Sequence, residues 1–260
     1  MATTVSRRSH FDDGLNRVDI EEKSNSPEGI DRWLAAVALG QIFEDWSLEI
    51  LWTLKSDSDE NTRNAAVNAL RGFPQELLAR RPGHTEDISG DFKPGIWKLR
   101  PLPKLDTTNR NIYLAAVLDI TGTEGPTTGT RLQNLLSKAS GITSSGRLSK
   151  TRMKSLIEAL LLTNAITRAD SFPESDDIDL WIVHPPNTPE CVVRPRNSRE
   201  LTEIPVNEAR AVFLMDPFID PDFPNRDSAF AILTEHYEIK PNEYFLIGEA
   251  LATQWQTLFA

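Results

Sequence analysis

Across residues 109–186 the apolar side chains change their spacing from helical to alternating, and that succession of periods restricts this chain more than any other feature. Ile112, Leu114, Ala115, Val117, Leu118 and Ile120 predict a helix broken at Gly122. Glu124-Gly125-Pro126 reads as a turn, and Thr128 or Thr130 can cap a second helix carrying Leu132, Leu135, Leu136 and Ala139 up to Gly141. Ser144-Ser145-Gly146 makes the next turn, and a third helix is predicted over residues 147–164. Two short β-like runs, 166–169 and 178–183, flank a polar loop and predict a two-stranded hairpin.

The third helix divides cleanly on a wheel of about 100° per residue. Met153, Leu156 and Leu160 share one face, with Ile157 and Leu161 at its borders. Arg147, Lys150, Thr151 and Lys154 lie opposite, and Arg152 sits on the flank. Helix, helix, basic helix and hairpin in that order predict a winged helix-turn-helix, within a fold that is mainly α with a small β component (α+β) and flanking helical segments. In such a module Arg147, Lys150, Thr151 and Lys154 are the expected DNA contacts, with Arg131 and Lys138 on nearby phosphates. A merely solvated outer face of an amphipathic helix gives the same pattern. The hairpin loop also opposes DNA contact, because Asp170, Glu174, Asp176, Asp177 and Asp179 make it acidic, without Lys or Arg.

Charge is partitioned along the chain. The net charge of the 260 residues is −10, which argues against a general nucleic-acid coat protein. Residues 109–170 carry 8 Lys/Arg against 4 Asp/Glu, whereas residues 171–260 carry 6 against 16. A basic module between acidic flanks predicts an acidic partner for the module and protein contacts elsewhere.

The remaining organisation follows from composition and spacing. Residues 1–27 are polar and read as a flexible tail. Residues 28–81 read as a helical segment. Ser26-Pro27-Glu28 is a start signal, Trp33, Leu34, Val37, Ala38 and Ile42 recur helically, and Trp46, Leu48, Ile50, Leu51 and Leu54 follow. Residues 61–70 predict a further helix after a 56–60 turn, ended by Gly72 and Pro74. The stretch 48–70 resembles one HEAT-type helical hairpin through its Asp turn, Arg63, Ala65-Ala66 and Ala69-Leu70, although an array needs about three such units. Residues 82–108 read as a linker in which 95–100 form one short strand. Residues 187–260 read as a C-terminal helical extension, with helices over 207–214, 227–237 and 243–258.

Glu124-Gly125-Pro126, Arg131-Leu132, Leu136, Ala139, Gly141, Gly146-Arg147-Leu148 and Ala159-Leu160-Leu161 together resemble a winged-helix domain found at the C-terminus of some large bacterial superfamily 1 helicase and restriction-type nuclease proteins. The segment 194–212, with Ile204-Pro205 and Glu208, is similar to that family's extension. The resemblance spans about residues 110–215, and what it implies is a free-standing accessory of bacterial DNA processing or antiviral genome defence. The chain departs from the family in having no GxxxxGK[ST] motor motif and in its acidic wing.

Catalytic patterns are sparse. Pro221-Asp222 with Glu238 and Lys240 spells a PD-ExK nuclease motif, whose chemistry needs two carboxylates on Mg²⁺ and a lysine beside the attacking water. That motif belongs on adjacent strands, while the residues between read as helix. His10, His84, His184 and His236 show no metal-ligand spacing, and the single Cys191 excludes an internal disulfide and cysteine-based zinc. No apolar run reaches the ~18–20 residues of a membrane span, and the N-terminus has no secretory core. The expectation is therefore a cytoplasmic, non-enzymatic DNA-binding or assembly subunit without cofactor, metal, membrane or small-molecule substrate. The alternatives are a protein-interaction adaptor that binds no nucleic acid and a metal-dependent nuclease.

Overall fold

The computed structural model describes residues 16–78, 94–105, 109–142, 148–169, 175–186, 188–215 and 226–244, and within them the chain is mainly helical. α1 (Arg17–Ser24) opens on a reciprocal cap: the Asp19 amide donates to Asn16 Oδ1 and the Asn16 amide to Asp19 Oδ2, both at 3.1 Å. That cap starts a helix despite the polar composition, and Ile20 anchors it in the core. The expected tail over residues 1–27 therefore contains a packed helix; residues 1–15 lie outside the described residues.

α2 (Gly29–Leu39) is apolar all round from Trp33 to Leu39, and every residue of that run is buried. It is enclosed by α1, by α3 (Asp45–Leu54) and by α4 (Glu60–Arg71). Arg32 grips Asp57 with two hydrogen bonds, 2.7 and 2.9 Å, which pins the turn before α4. Asp59 then caps α4 by accepting from the Thr62 amide at 2.9 Å. The short α5 (Gln75–Leu78) completes this group.

The described part of the expected linker, residues 94–105, is an extended strap laid on the rest of the protein. Pro94, Pro101 and Pro103 hold it extended. The Gly95 amide donates to Thr123 O and the Leu102 amide to Ala139 O, both at 2.8 Å, while Trp97, Leu102 and Leu105 are buried. The short strand expected at 95–100 does not form, because these bonds go to helix ends instead of to a strand.

α6 (Arg110–Glu124) runs through Gly122 and ends at Gly125, whose φ is +78°. A helical glycine costs about 1 kcal/mol, which burial of Tyr113, Leu114, Val117 and Ile120 on the same helix outweighs. There follow β1 (Thr127–Thr128), α7 (Gly129–Ala139), α8 (Lys150–Leu162), β2 (Thr167–Arg168) and β3 (Ile182–His184). β3 is the central strand, antiparallel to both others, with Val183 opposite Thr127 on one side and Arg168 on the other. The hairpin was expected, but β1 was not, and residues 178–180 wind into a 3-10 turn instead of lengthening β3.

Alternation along β3 joins two apolar clusters. Val183 belongs to a cluster that runs continuously from Ile20 in α1, and Ile182, on the opposite face, belongs to a second one. The second cluster is built by Ala169, Ile204, Val206 and Val212 with Leu233, Tyr237 and Ile239. α9 (Val206–Leu214) supplies Val206 and Val212, α10 (Arg226–His236) supplies Leu233, and Tyr237 and Ile239 follow directly after α10. Of the helix expected over residues 243–258, Glu243 and Tyr244 are described, Glu243 closing a 3-10 turn (Pro241–Glu243), and the rest lies outside the described residues.

Candidate nucleic-acid interface

α8 begins at Ser149, whose hydroxyl accepts from the Arg152 amide, and its first turn carries the basic side chains. Met153, Leu156, Ile157 and Leu160 are buried, so the apolar stripe faces inward as the wheel predicts. Lys150, Thr151 and Arg152 are exposed and Lys154 is half-buried. Arg147 lies outside the described residues.

The loop before β3 folds back onto this stripe. Lys150 Nζ lies 2.9 Å from Asp177 and 2.6 Å from Asp179, and Lys154 Nζ lies 3.0 Å from Asp176 and 3.9 Å from Glu158. Trp181 braces the arrangement. Its indole N–H donates to Ser175 O at 2.7 Å, Arg168 stacks over the ring at 4.6 Å, and Lys154 stands 5.7 Å from it. Donating hydrogen bonds to Asp179 and Asp177 pushes the Lys150 ammonium above its ordinary pKa, and accepting from Lys150 holds the Asp177 carboxyl below its own. The two lysines expected to meet DNA phosphates thus already have carboxylate partners. Asp170 and Glu174 of the same loop lie outside the described residues.

Arg131 is corrected from a phosphate contact to a core residue. It is 3% exposed, because the first turn of α7 packs against the end of α6 and against the 3-10 turn Leu201–Glu203. Its guanidinium donates to both oxygens of Glu124, at 2.9 and 3.1 Å, and to Glu203 at 3.0 Å. Burial opposes that charge, but the two carboxylates outweigh burial and raise the Arg131 pKa. Lys138, at the other end of α7, is exposed as expected.

Glu203 also accepts from Asn134 Nδ2 at 2.7 Å. The neighbouring chain completes a buried ionic network: Arg199 grips Glu208 at 2.7 and 2.8 Å, and Arg194 donates to Glu124 O and Pro126 O. The arginine-rich stretch read as an extension of the module is therefore bolted to the end of α6. A second buried polar centre escaped the sequence reading. Trp33 and Trp97 donate their indole N–H groups to Asp119 Oδ2 at 3.1 and 2.9 Å, and Arg100 stacks on Trp33 at 3.9 Å. The available signal was an Asp and an Arg set among apolar neighbours, Leu118-Asp119-Ile120 and Leu99-Arg100-Pro101.

The remaining chemistry-bearing side chains are placed as follows. His184 donates from Nδ1 to Pro185 O at 2.9 Å, and His236 packs edge-on against Tyr237. Burial, with Glu208 nearby, pushes the Cys191 thiol up, the opposite of nucleophile activation. Glu238 and Lys240 lie in the turn after α10, Glu238 at φ +50°, and not on strands; Asp222, His10 and His84 lie outside the described residues. No group of three or more potential metal ligands occurs among the described residues, and no described helix is long and apolar enough to cross a membrane.

No protein-family model, curated protein or solved structure matches this chain.

Proposed function

We propose that this chain is a non-enzymatic assembly subunit of a DNA-processing or genome-defence complex, built on a winged helix over residues 109–186 that does not read DNA through Lys150 and Lys154. What carries the reading is the pairing of these lysines with Asp176, Asp177 and Asp179. A reading helix needs cations free for phosphates and base edges. The order helix, strand, helix, helix, strand, strand, with the last strand in the centre, supports the winged-helix assignment. The buried arginine–glutamate network supports an assembly role, since it holds the C-terminal segment against the module as a fixed platform. Leu162, 79% exposed at the end of α8, is a position where partner contact can be probed without disturbing the core.

The test is a duplex-DNA titration of the full chain and of Lys150→Gln/Lys154→Gln, alongside partner capture from the native host with wild type and Leu162→Asp. Duplex affinity is expected to be unchanged in the double lysine variant, and captured proteins are expected to be lost with Leu162→Asp. Loss of duplex binding in the lysine variant, or capture indifferent to Leu162→Asp, overturns the reading.

A further inference from the structure

With Lys150, Lys154 and Arg131 paired, the cations of the central module and its strap that have no carboxylate partner among the described residues lie elsewhere. Lys104, Arg110, Lys138 and Arg152 come from the strap, the start of α6, the end of α7 and the flank of α8, and tertiary structure gathers them. Arg110 Nη2 donates to Ser155 O at 3.3 Å, one turn along α8 from Arg152. Asn109, beside Arg110, donates from Nδ2 to Lys104 O at 3.1 Å. The Leu102 amide bonds Ala139 O, next to Lys138, and the Tyr113 hydroxyl bridges Pro103 O and Ser140 Oγ at 2.9 and 2.6 Å. These contacts bring the chain at all four positions close to the beginning of α6. Lys104, Lys138 and Arg152 are exposed, and Arg110 is half-buried.

The carboxylates of the three helices are already committed. Asp119 and Glu124 are buried, and Glu158 faces Lys154. Nothing described on α6, α7 or α8 therefore cancels the charge of this face. Asp106, the nearest acid in sequence, lies outside the described residues.

We propose that this face docks the sugar-phosphate backbone of duplex DNA without reading its sequence. Four cations without a carboxylate partner among the described residues, on a chain of net charge −10, select a polyanion. The aromatic ring at the centre, Tyr113, is buried and so cannot stack a base, which disfavours a single strand. The interface is distinct from the Lys150 and Lys154 stripe of α8, and the two are separable by mutation.

The experiment is fluorescence anisotropy of a labelled random-sequence duplex with the full chain, from about 50 to about 200 mM salt, the range over which phosphate contacts dominate. Four contacts predict a slope of log K on log salt near −3.6, or about a 150-fold loss of affinity across that range. Lys104→Gln, Lys138→Gln and Arg152→Gln should each reduce the slope by about 1. Lys150→Gln/Lys154→Gln should leave it unchanged. Urea midpoints of the variants, expected to match wild type because these side chains are solvated, separate loss of contact from loss of fold. The proposal is overturned by absence of duplex binding at low salt, by a slope indifferent to Lys138→Gln and Arg152→Gln, or by a single strand or poly-glutamate binding more tightly than duplex. Failure of the assembly reading would show instead as duplex binding lost in the Lys150→Gln/Lys154→Gln variant.

Discussion

Arg131 Nη1 lies 3.0 Å from Glu203 Oε2, although 72 positions of sequence separate the two residues and both are buried. Deleting the cation would strand Glu124 and Glu203 without their partner in a dry site. Arg131→Ala is expected to destabilise the fold by about 3–5 kcal/mol, and Lys138→Ala by no more than about 0.5 kcal/mol. Urea unfolding followed by circular dichroism measures both. Equal midpoints for the two variants would contradict the buried pairing.

Asp119 gives the protein a pH signature. Burial pushes its carboxyl above the ordinary value of 3.8, and the Trp97 hydrogen bond and the Arg100 charge oppose this only in part. A folded-state pKa above the unfolded one favours the fold fully below the ordinary carboxylate range, and that contribution is lost as pH rises through the folded value. Asp119→Asn removes the titration while leaving one oxygen for both indoles. The stability of the variant relative to wild type should therefore rise between about pH 4 and pH 8. A difference that stays constant over that window would show that Asp119 does not titrate differently on folding.

Gly129 permits a close approach that no other residue allows. Its amide donates to Trp181 O at 2.9 Å, and a Cβ there would collide with the Ile178 carbonyl. Both partners are backbone, so neither rotates away. Gly129→Ala is expected to cost at least about 1–3 kcal/mol, whereas Gly141→Asn, in an open left-handed turn with φ +68°, should be tolerated. Thermal melts of the two variants decide it.

Removing the acids that cover α8 should expose its basic stripe. Asp176→Asn/Asp177→Asn/Asp179→Asn frees Lys150 and Lys154 and removes three repelling charges. Duplex affinity at low salt should then rise at least about tenfold, with a salt slope steeper by about 2. Asp176 is 97% exposed, whereas Asp179 is half-buried and the Asp177 carboxylate accepts from the Asp179 amide at 3.2 Å, so a urea midpoint accompanies the titration to separate unmasking from loss of the loop's own structure. Unchanged DNA affinity in the triple variant would mean that the loop does not mask α8.

Period and capping rules made the helices legible. The inward face of α8 and the Thr128 cap of α7, whose side chain accepts from the Arg131 amide, follow from neighbours within one or two turns. β1 was hidden because two threonines are too short to show alternation. The strap was hidden because its prolines and charges read as solvated, while its buried residues Trp97, Arg100, Leu102 and Leu105 follow no regular period. The carboxylate partners of the basic stripe were hidden for a similar reason. A helical wheel reports which side chains share a face, but not that an acidic loop 22–29 residues away lies across it. Nor does it report that the strap bonds to the last turn of α7 and to the start of α6.

The meeting of Trp33 and Trp97 on one carboxylate oxygen, with a guanidinium stacked on the first ring, has an optical consequence. Both chromophores sit in the field of fixed charges and away from water. Lifting the strap would take Trp97 from that field and admit solvent to Trp33. The ultraviolet emission of the unlabelled protein is thus a built-in gauge of whether residues 94–105 are seated.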